Sequence, residues 1–302
     1  MDIALTNVHL DLGAGRRGTD MGPSALHVAG LVPALRQLGH TVEGIVSIGS
    51  PSFEARQHGD SSARFLPEVT KVVGQLADRT EAALDAGRFP LVLGGDHSIA
   101  IGTITGMVRA MRRKNQRLGV VWVDAHTDMN TPGTSPSGNI HGMPVACLLG
   151  EGPAALTSQL LDGDPALRPE DIVLIGIRDV DRREAETVRR KGVRAYTMSE
   201  LDSRGTALCL REAMEAITQR TDGIHLSFDL DGVDPAEAPG VGTPVPGGLS
   251  LRESHLLCEM ASQTGRLVGM EMVELNPTRD VRNKTGELAR WLIESALGRR
   301  IL

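Results

Sequence analysis

The hydrophobic pattern of the chain alternates between short apolar runs and longer segments with helical spacing. The short runs, rich in β-branched residues, predict eight strands: Ile3–Val8, Val42–Ile48, Pro90–Leu93, Gly119–Val123, Ile172–Ile177, Val193–Tyr196, Ile224–Leu230 and Leu267–Val273. The longer segments predict helices: Pro23–Leu38, Leu66–Ala86, Ser98–Lys114, Glu184–Arg190, Thr206–Arg220, Leu251–Ser262 and Thr285–Leu297. Because continuous apolar strands separated by helices are typical of a parallel sheet covered on both faces, we expect an α/β fold with one domain over residues 1–302.

Composition narrows the class of protein. The 302 residues include 32 Lys and Arg against 38 Asp and Glu, a formal net charge of −6, and 2% aromatic residues. Nucleic-acid-binding proteins need basic patches and often stacking rings, so that class is disfavoured. No apolar run approaches the ~20 residues of a membrane span, and Met1–Leu10 lacks a signal-peptide pattern. Three separated cysteines argue against a disulfide framework. We expect a cytoplasmic protein without a membrane or nucleic-acid partner.

Polar side chains gather where the predicted strands end. Gly94–Ser98 (GGDHS) follows the third apolar run, and Asp124–Asp128 (DAHTD) follows the fourth. Asp229–Pro235 (DLDGVDP) lies at the end of the seventh run, and Glu274 follows the last one. Since ligands of open parallel sheets bind at the carboxyl ends of the strands, these segments are the candidate functional site.

The residue types at these strand ends favour bound divalent ions. Alternate residues of an extended segment share a face, so the acids and histidine of Asp124–Asp128 can converge. Converging carboxylates repel one another, and unpaired ones are forced neutral. Each motif alone is typical of a turn or a helix cap, but the three together predict two ions ~3.5–4 Å apart with bridging carboxylates. A set of oxygen and imidazole ligands without thiolate suits Mn²⁺. The candidate ligands are His97, Asp124, His126, Asp128, Asp229 and Asp231.

These motifs resemble those of the arginase family of ureohydrolases, as do Ser137–Pro144 (SGNIHGMP), Gly242–Gly248 (GTPVPGG) and Glu274–Pro277 (ELNP). The resemblance covers nearly the whole chain, from Gly13–Leu26 to Asn283–Thr285. It implies a three-layer α/β sandwich around a central parallel sheet of about eight strands, the arginase/deacetylase-like fold. It also implies assembly as a homotrimer or homohexamer.

The resemblance further implies two Mn²⁺ per chain. The first would be held by His97, Asp124, Asp128 and Asp229, and the second by Asp124, His126, Asp229 and Asp231. Asp96 and Asp234 lie beside these ligands in the sequence, and we interpret both as acids that cap turns or support the ligands.

The reaction implied by the resemblance is the hydrolysis of L-arginine to L-ornithine and urea, by a metal-bridging hydroxide that attacks the guanidinium carbon. A guanidinium is a delocalised cation and a poor electrophile, so its carbon must be fixed beside an activated nucleophile. Asp128 would orient the hydroxide and protonate the leaving amine. His141 would shuttle protons, because an imidazole titrates near neutral pH, and Glu274 would bind the guanidinium.

Contacts to the α-substituents distinguish arginine from agmatine, which lacks the carboxylate. Asn130, Ser135 and Ser137 match the family positions that bind the α-carboxylate, and Asp181 and Glu184 match those that bind the α-ammonium. The chain has Arg182-Arg183 where relatives often have Pro-Gly, and these two cations leave the contact of Glu184 open.

Three alternatives compete with a manganese arginase. An agmatinase or another guanidino-compound ureohydrolase is the nearest, although the RDVD segment 178–181 and the SGNIHGMP loop argue against it. A metal-dependent amide deacetylase can share this type of fold but needs fewer acids. A metal-loaded arginine sensor would not need Asp128 and His141. The metal itself stays open among Mn²⁺, Co²⁺ and Fe²⁺, whose ligand preferences overlap.

Overall fold

A parallel sheet of nine strands lies at the centre of the computed structural model, which describes residues 1–49, 58–161 and 163–300. The strands are β1 (Asp2–His9), β2 (Thr41–Val42), β3 (Val46–Gly49), β4 (Phe89–Leu93), β5 (Leu118–Val123), β6 (Ile172–Ile177), β7 (Arg194–Thr197), β8 (Gly223–Asp229) and β9 (Leu267–Val273). Their order is β2-β1-β4-β9-β8-β5-β6-β7, and β3 also pairs with β1. The strand pairs are parallel.

Helices cover both faces of this sheet. They are α1 (Gly22–Val28), α2 (Leu31–Gln37), α3 (Leu66–Asp85), α4 (Ala100–Arg112), α5 (Pro144–Leu148), α6 (Arg182–Lys191), α7 (Met198–Arg204), α8 (Thr206–Thr218), α9 (Leu251–Gln263) and α10 (Lys284–Ala296). Buried side chains of α1, α2 and α7 to α10 pack on one face, and those of α3 to α5 pack on the other.

The alternation of side chains along β5 shows how the three layers form. Val121 and Val123 pack into the core beneath α8 and α9, whereas Val120 and Trp122 pack into the core beneath α4 and α5. A strand with apolar side chains on both faces must be covered on both sides. The predicted α/β three-layer sandwich around a parallel sheet is therefore confirmed.

The structure divides two of the predicted elements. The run Val42–Ile48 forms β2 and β3, because residues 43–45 leave the sheet at Gly44, whose φ is 62°. The predicted helix Pro23–Leu38 forms α1 and α2, which are separated by Gly30 with φ 83°. Both glycines adopt the left-handed backbone that they tolerate best.

Two helices were not predicted. Helix α5 has five residues and α7 has seven, and segments this short show no helical periodicity. Helix α7 begins after Thr197, whose side chain accepts a hydrogen bond from the Glu200 N–H, the usual N-cap contact. Among the described helices, none combines the length and apolar character that crossing a bilayer demands.

Candidate active site

The four central strands of the sheet position the candidate site. Strands β4, β9, β8 and β5 are consecutive neighbours, and their carboxyl ends lead to His97, Glu274, Asp229 and Asp124 respectively. In parallel strands these ends meet at one edge of the sheet, so residues that are distant in sequence lie together. The six predicted metal ligands are all brought to this edge.

The first cluster forms around the imidazole of His97. Its Nδ1 atom lies 3.1 Å from Asp124 Oδ2, 3.2 Å from Asp229 Oδ2 and 3.3 Å from Asp128 Oδ2. The ring stacks on Trp122 with 3.9 Å between centroids, and its Nε2 atom lies 2.8 Å from Ser227 Oγ. These contacts fix the ring with one nitrogen facing the three carboxylates.

The second cluster forms around His126 and shares Asp124 with the first. The Nδ1 atom of His126 lies 3.3 Å from Asp124 Oδ1 and 3.2 Å from Asp231 Oδ2. The side chain of His126 is 25% exposed, whereas that of Asp231 is 1% exposed. The hydroxyl of Thr243 donates to Asp231 Oδ2 at 2.9 Å, and the Ala125 N–H donates to Oδ1 at 3.1 Å.

The clustered charges shift the pKa values of these groups. Burial opposes ionisation of Asp124, yet its histidine neighbours hold the pKa of this carboxyl well below its usual range. Burial and neighbouring acids raise the pKa of Asp229 well above its usual range and that of Asp128 to about 7. Burial opposes protonation of His97, but three carboxylates raise its pKa well above the ordinary value. Protonated imidazoles thus supply positive charge that the acids need, a role that divalent cations can take over.

The donor set fits two divalent cations. One group of possible ligand atoms comes from His97, Asp124 and Asp229, and a second comes from Asp124, His126 and Asp231, with the atoms of each group within 4.8 Å of one another. Oxygen and imidazole donors without thiolate suit Mn²⁺ and related ions. The Ser227 hydroxyl on Nε2 of His97 is the kind of outer contact that orients a metal-binding histidine.

The buried Glu274 pairs with the partly exposed His141 beside the first cluster. Oε1 of Glu274 accepts hydrogen bonds from the His97 N–H at 2.9 Å and pairs with His141 Nδ1 at 3.1 Å. Its Oε2 atom is buried and has no hydrogen-bond partner among the described residues. Burial opposes the charge on His141, but Glu274 raises the pKa of this imidazole to about 9. A buried carboxylate with one unpaired oxygen has capacity for a cationic ligand.

Two acidic residues of this site have an unusual backbone. Asp128 has φ 51° and Glu274 has φ 64°, both in the left-handed region that non-glycine residues seldom adopt. Such conformations cost on the order of 1–3 kcal/mol and persist where surrounding contacts hold them, often at functional sites. The Glu274 N–H donates to the Gly95 carbonyl at 2.9 Å, which anchors this turn to the segment after β4.

The segment after Asp128 forms a loop held by its own polar groups. The amide of Asn130 donates to Asp181 Oδ2 at 2.9 Å and accepts from the Thr134 hydroxyl at 2.9 Å. The hydroxyl of Ser135 accepts from the Gly138 N–H, and that of Ser137 accepts from the Asn139 N–H. Asn130 retains a second amide N–H for a further partner, and the hydroxyls of Ser135 and Ser137 lie 3.5 Å apart, so that one donates to the other and the second O–H remains for a further partner.

Asp181 and Glu184 lie at the start of α6, on the other side of this loop. Asp181 is the N-cap of the helix, and its Oδ1 accepts from the Glu184 N–H at 2.9 Å. Glu184 is buried, and its Oε1 accepts from the Met129 N–H at 2.9 Å. Arg182 and Arg183 are exposed, and Arg182 pairs with Glu186, so the two cations do not enter the site.

A cavity of about 240 Å³ joins the clusters to the loop. Its lining residues are His126, Asp128, Asn130, Ser137, Asn139, His141, Gly142, Glu184, Asp229, Asp231 and Thr243. Ser135, Asp181 and Glu274 are not part of this lining, although all three were predicted to bind substrate. Asp181 is connected to the cavity indirectly, because it accepts a hydrogen bond from Asn130, which is part of the lining.

Three side chains that hold this site were missed in the sequence. Trp122 donates from Nε1 to Asp124 Oδ2 at 3.0 Å, Ser227 contacts His97, and Thr243 contacts Asp231. Trp122 and Ser227 each stand two positions before a predicted ligand, so strand alternation places them on the ligand's face. That spacing was the available signal, whereas no local pattern marks Thr243.

The acids Asp96 and Asp234 act as the sequence suggested. Asp96 accepts from the Gly13 N–H at 2.8 Å and from the Ser98 hydroxyl. Asp234 accepts from the N–H groups of Ala236, Gly247 and Gly248. Both carboxylates therefore hold turns beside the clusters.

The fold and the site together define a class of protein. It is an α/β protein with two neighbouring candidate metal clusters, which lie where the carboxyl ends of its parallel strands meet. The arginase family model matches residues 1–298. The arginase of Bacillus caldovelox is 47% identical over 99% of this chain and 99% of its own length. The chain therefore belongs to the arginase family, and it is an enzyme of the hydrolase class.

Solved structures agree with this assignment. The crystal structure of arginase from Bacillus subtilis superposes with a TM-score of 0.93 at 44% identity, covering 100% of both chains. The arginase of Entamoeba histolytica, in complex with L-ornithine, superposes with a TM-score of 0.89 at 35% identity, covering 99% of both chains.

Proposed function

We propose that the enzyme hydrolyses L-arginine to L-ornithine and urea with two bound divalent cations, Mn²⁺ first among them. The observation that carries this proposal is the buried Glu274 carboxylate, with one unpaired oxygen, beside two carboxylate–imidazole clusters. A guanidinium is planar and cationic, and a carboxylate is its best partner. The Entamoeba histolytica relative was solved in complex with L-ornithine, which supports a basic amino acid as a ligand of this enzyme.

Six residues would hold the cations: His97, Asp124, His126, Asp128, Asp229 and Asp231. Bound at these positions, two divalent cations would acidify water and so supply hydroxide at neutral pH. Asp124 lies in both clusters, so this residue would help to hold both ions.

Glu274 would orient the guanidinium so that its carbon faces the clusters. Its Oε1 is already held by the His97 N–H and by His141, so Oε2 remains for the substrate. The fixed carboxylate lowers the entropy cost of placing the carbon beside the nucleophile.

Asp128 and His141 would move the protons of the reaction. Asp128 lies in the cavity lining, with its carboxylate 3.3 Å from Nδ1 of His97, so a carboxylate is placed where it can accept and give a proton beside the bound substrate. It would hold a proton of the attacking water and pass it to the departing amine of ornithine. His141 is partly exposed and would exchange protons between this site and solvent.

The α-substituents would bind across the cavity. Asn130, Ser135 and Ser137 would donate to the α-carboxylate, and Glu184 with Asp181 would accept from the α-ammonium. Arg182 and Arg183 are exposed and do not occupy this acidic corner, which favours Glu184 as an ammonium partner.

The test is a metal-free preparation reconstituted with Mn²⁺ and supplied with L-arginine. We expect release of urea and ornithine in equal amounts, and no release before metal is added. Turnover that is unchanged after thorough removal of metal would overturn the proposed chemistry. An oligomer, as a homotrimer or homohexamer, and a cytoplasmic location remain predictions.

A further inference from the structure

Arg178 binds a group of backbone carbonyls beside the second cluster. It follows β6, and its guanidinium donates only to backbone carbonyls in the contacts that the described residues give it. The acceptors are Asp231 at 2.6 Å, Val245 at 2.6 and 3.1 Å, Gly232 at 3.1 Å, Gly176 at 3.2 Å and Val233 at 3.3 Å.

These acceptors belong to three separate segments. Gly176 is the second-last residue of β6, Asp231–Val233 follows β8, and Val245 belongs to the loop that carries Thr243. A planar guanidinium has five N–H donors in a rigid fork, so one side chain joins all three segments. The packing is tight, since a Cβ atom added to Gly248 would lie 2.6 Å from Arg178 Nη2.

The contacts of Arg178 converge on Asp231. Its Nη2 atom binds the Asp231 carbonyl, while the carboxylate of Asp231 accepts from Thr243, two residues before Val245. The backbone of Asp231 and the loop that holds its side chain therefore depend on the same guanidinium. His97 in the first cluster is instead held by Trp122 and Ser227.

We propose that Arg178 is a positioning residue that fixes Asp231 and the loop 243–248 in the geometry the second metal cluster requires. The inference rests on the proposed two-cation site. It assigns to Arg178 an asymmetric effect, in which one of the two cations depends on this side chain and the other does not.

Replacing Arg178 with lysine isolates the geometric role. Lysine keeps the positive charge, but its single ammonium cannot hold five carbonyls in three segments. Loss of a contact that orients a metal ligand typically weakens binding by about 10–100-fold. Because the charge near the acids is conserved, a change in affinity reports position rather than electrostatics.

Arg266→Lys provides the matched control. Arg266 also donates to backbone carbonyls, those of Thr218 at 3.2 Å and Thr221 at 3.0 Å. It precedes β9 at the opposite end of the sheet from the clusters. Replacing Arg266 with lysine therefore removes arginine contacts to backbone carbonyls at a position away from the metal clusters.

The experiment measures equilibrium Mn²⁺ binding by the metal-free full chain, with thermal unfolding recorded for each variant. The wild type and Arg266→Lys are expected to bind two equivalents with similar affinities. Arg178→Lys is expected to bind one equivalent within about threefold of the wild-type affinity and the other about 10–100-fold more weakly.

Several results would overturn the inference. One is that Arg178→Lys binds both equivalents with wild-type affinity, and another is that it loses affinity equally for both. If Arg178→Lys fails to fold, Arg178→Gln replaces it, and failure of both while Arg266→Lys folds would make Arg178 a residue of the fold alone. A wild type that binds fewer than two equivalents would overturn the two-cation site itself, an outcome distinct from the others.

Discussion

The two halves of the candidate site are built in different ways. The metal edge (His97, Asp124, His126, Asp128, Asp229 and Asp231) stands at strand ends and is largely buried. The recognition loop (residues 129–139) has no regular structure, is more exposed, and is held by hydrogen bonds such as that from Gly138 N–H to Ser135 Oγ. Strand ends can hold carboxylates close together although their charges repel. The loop instead presents neutral hydrogen-bond donors, which solvent can also reach. We therefore expect changes in the edge to alter metal content and changes in the loop to alter KM alone.

Asp124→Asn should have the largest effect, since Asp124 is shared by both clusters. We expect loss of bound metal and a fall in turnover on the order of 10⁴-fold or more, because water of pKa about 15.7 is no longer acidified to about 7. Metal content by elemental analysis and urea release measure the two effects. Asp222→Asn is the control, because Asp222 is exposed and precedes β8 at the opposite end of the sheet from the clusters, and this variant should keep its metal. Full metal content in Asp124→Asn would contradict the account.

Glu274→Gln tests the residue that joins the edge to the substrate. The amide keeps the size of the side chain but loses the charge that pairs with guanidinium, so kcat/KM should fall on the order of 10²–10³-fold. Metal content should stay at the wild-type value. Retained turnover would remove Glu274 from the guanidinium site, and lost metal would instead make it a support of the clusters.

Ser137→Ala tests the recognition loop. A hydrogen bond to a charged group contributes about 1.5–3 kcal/mol, so KM for arginine should rise by about tenfold while metal content is unchanged. Ser135→Ala is the comparison variant: Ser135 is also proposed to contact the α-carboxylate but lies outside the cavity lining, so the KM of this variant should rise less. An equal rise in KM for the two variants would show that the cavity lining does not indicate which serine contacts the substrate.

The smallest expected effect concerns His141 and pH. Its pKa is raised to about 9 by Glu274 against the opposition of burial. The His141–Glu274 pair therefore stabilises the metal-free protein below pH about 6.5, and this contribution is lost as pH rises through about 9. His141→Asn should lower Tm by a few degrees at pH 6 and by less at pH 10. A Tm difference that does not change with pH would show that the charge of His141 does not contribute to stability.

The strand ends were predictable because their chemistry is local. Asp124, His126 and Asp128 show their shared face through alternation alone, and the glycine-rich turn before His97 follows an apolar run. The partners of these residues were not predictable in the same way. Trp122 looked like an ordinary core residue, and the contact of Thr243 with Asp231 depends on a loop whose path is set by tertiary structure.

The limits of the fold prediction have a similar origin. Hydrophobic pattern alone does not show that the chain turns at Gly44 or Gly30, since both lie within apolar stretches. The role of Arg178 could not be predicted either. Its acceptors are backbone carbonyls, which every residue type has, so the sequence does not mark them. The sequence thus predicts well which acids and histidines lie together at this edge of the sheet, and it predicts poorly the residues that hold them in position.

The most direct test compares kcat/KM for L-arginine and agmatine on one reconstituted sample of measured metal content. The two compounds share the guanidinium and differ in the α-carboxylate, so their ratio isolates the recognition loop from the metal edge. The account predicts that arginine is preferred on the order of 10²-fold, given about 1.5–3 kcal/mol for each hydrogen bond to the carboxylate. Equal or faster turnover of agmatine would contradict it.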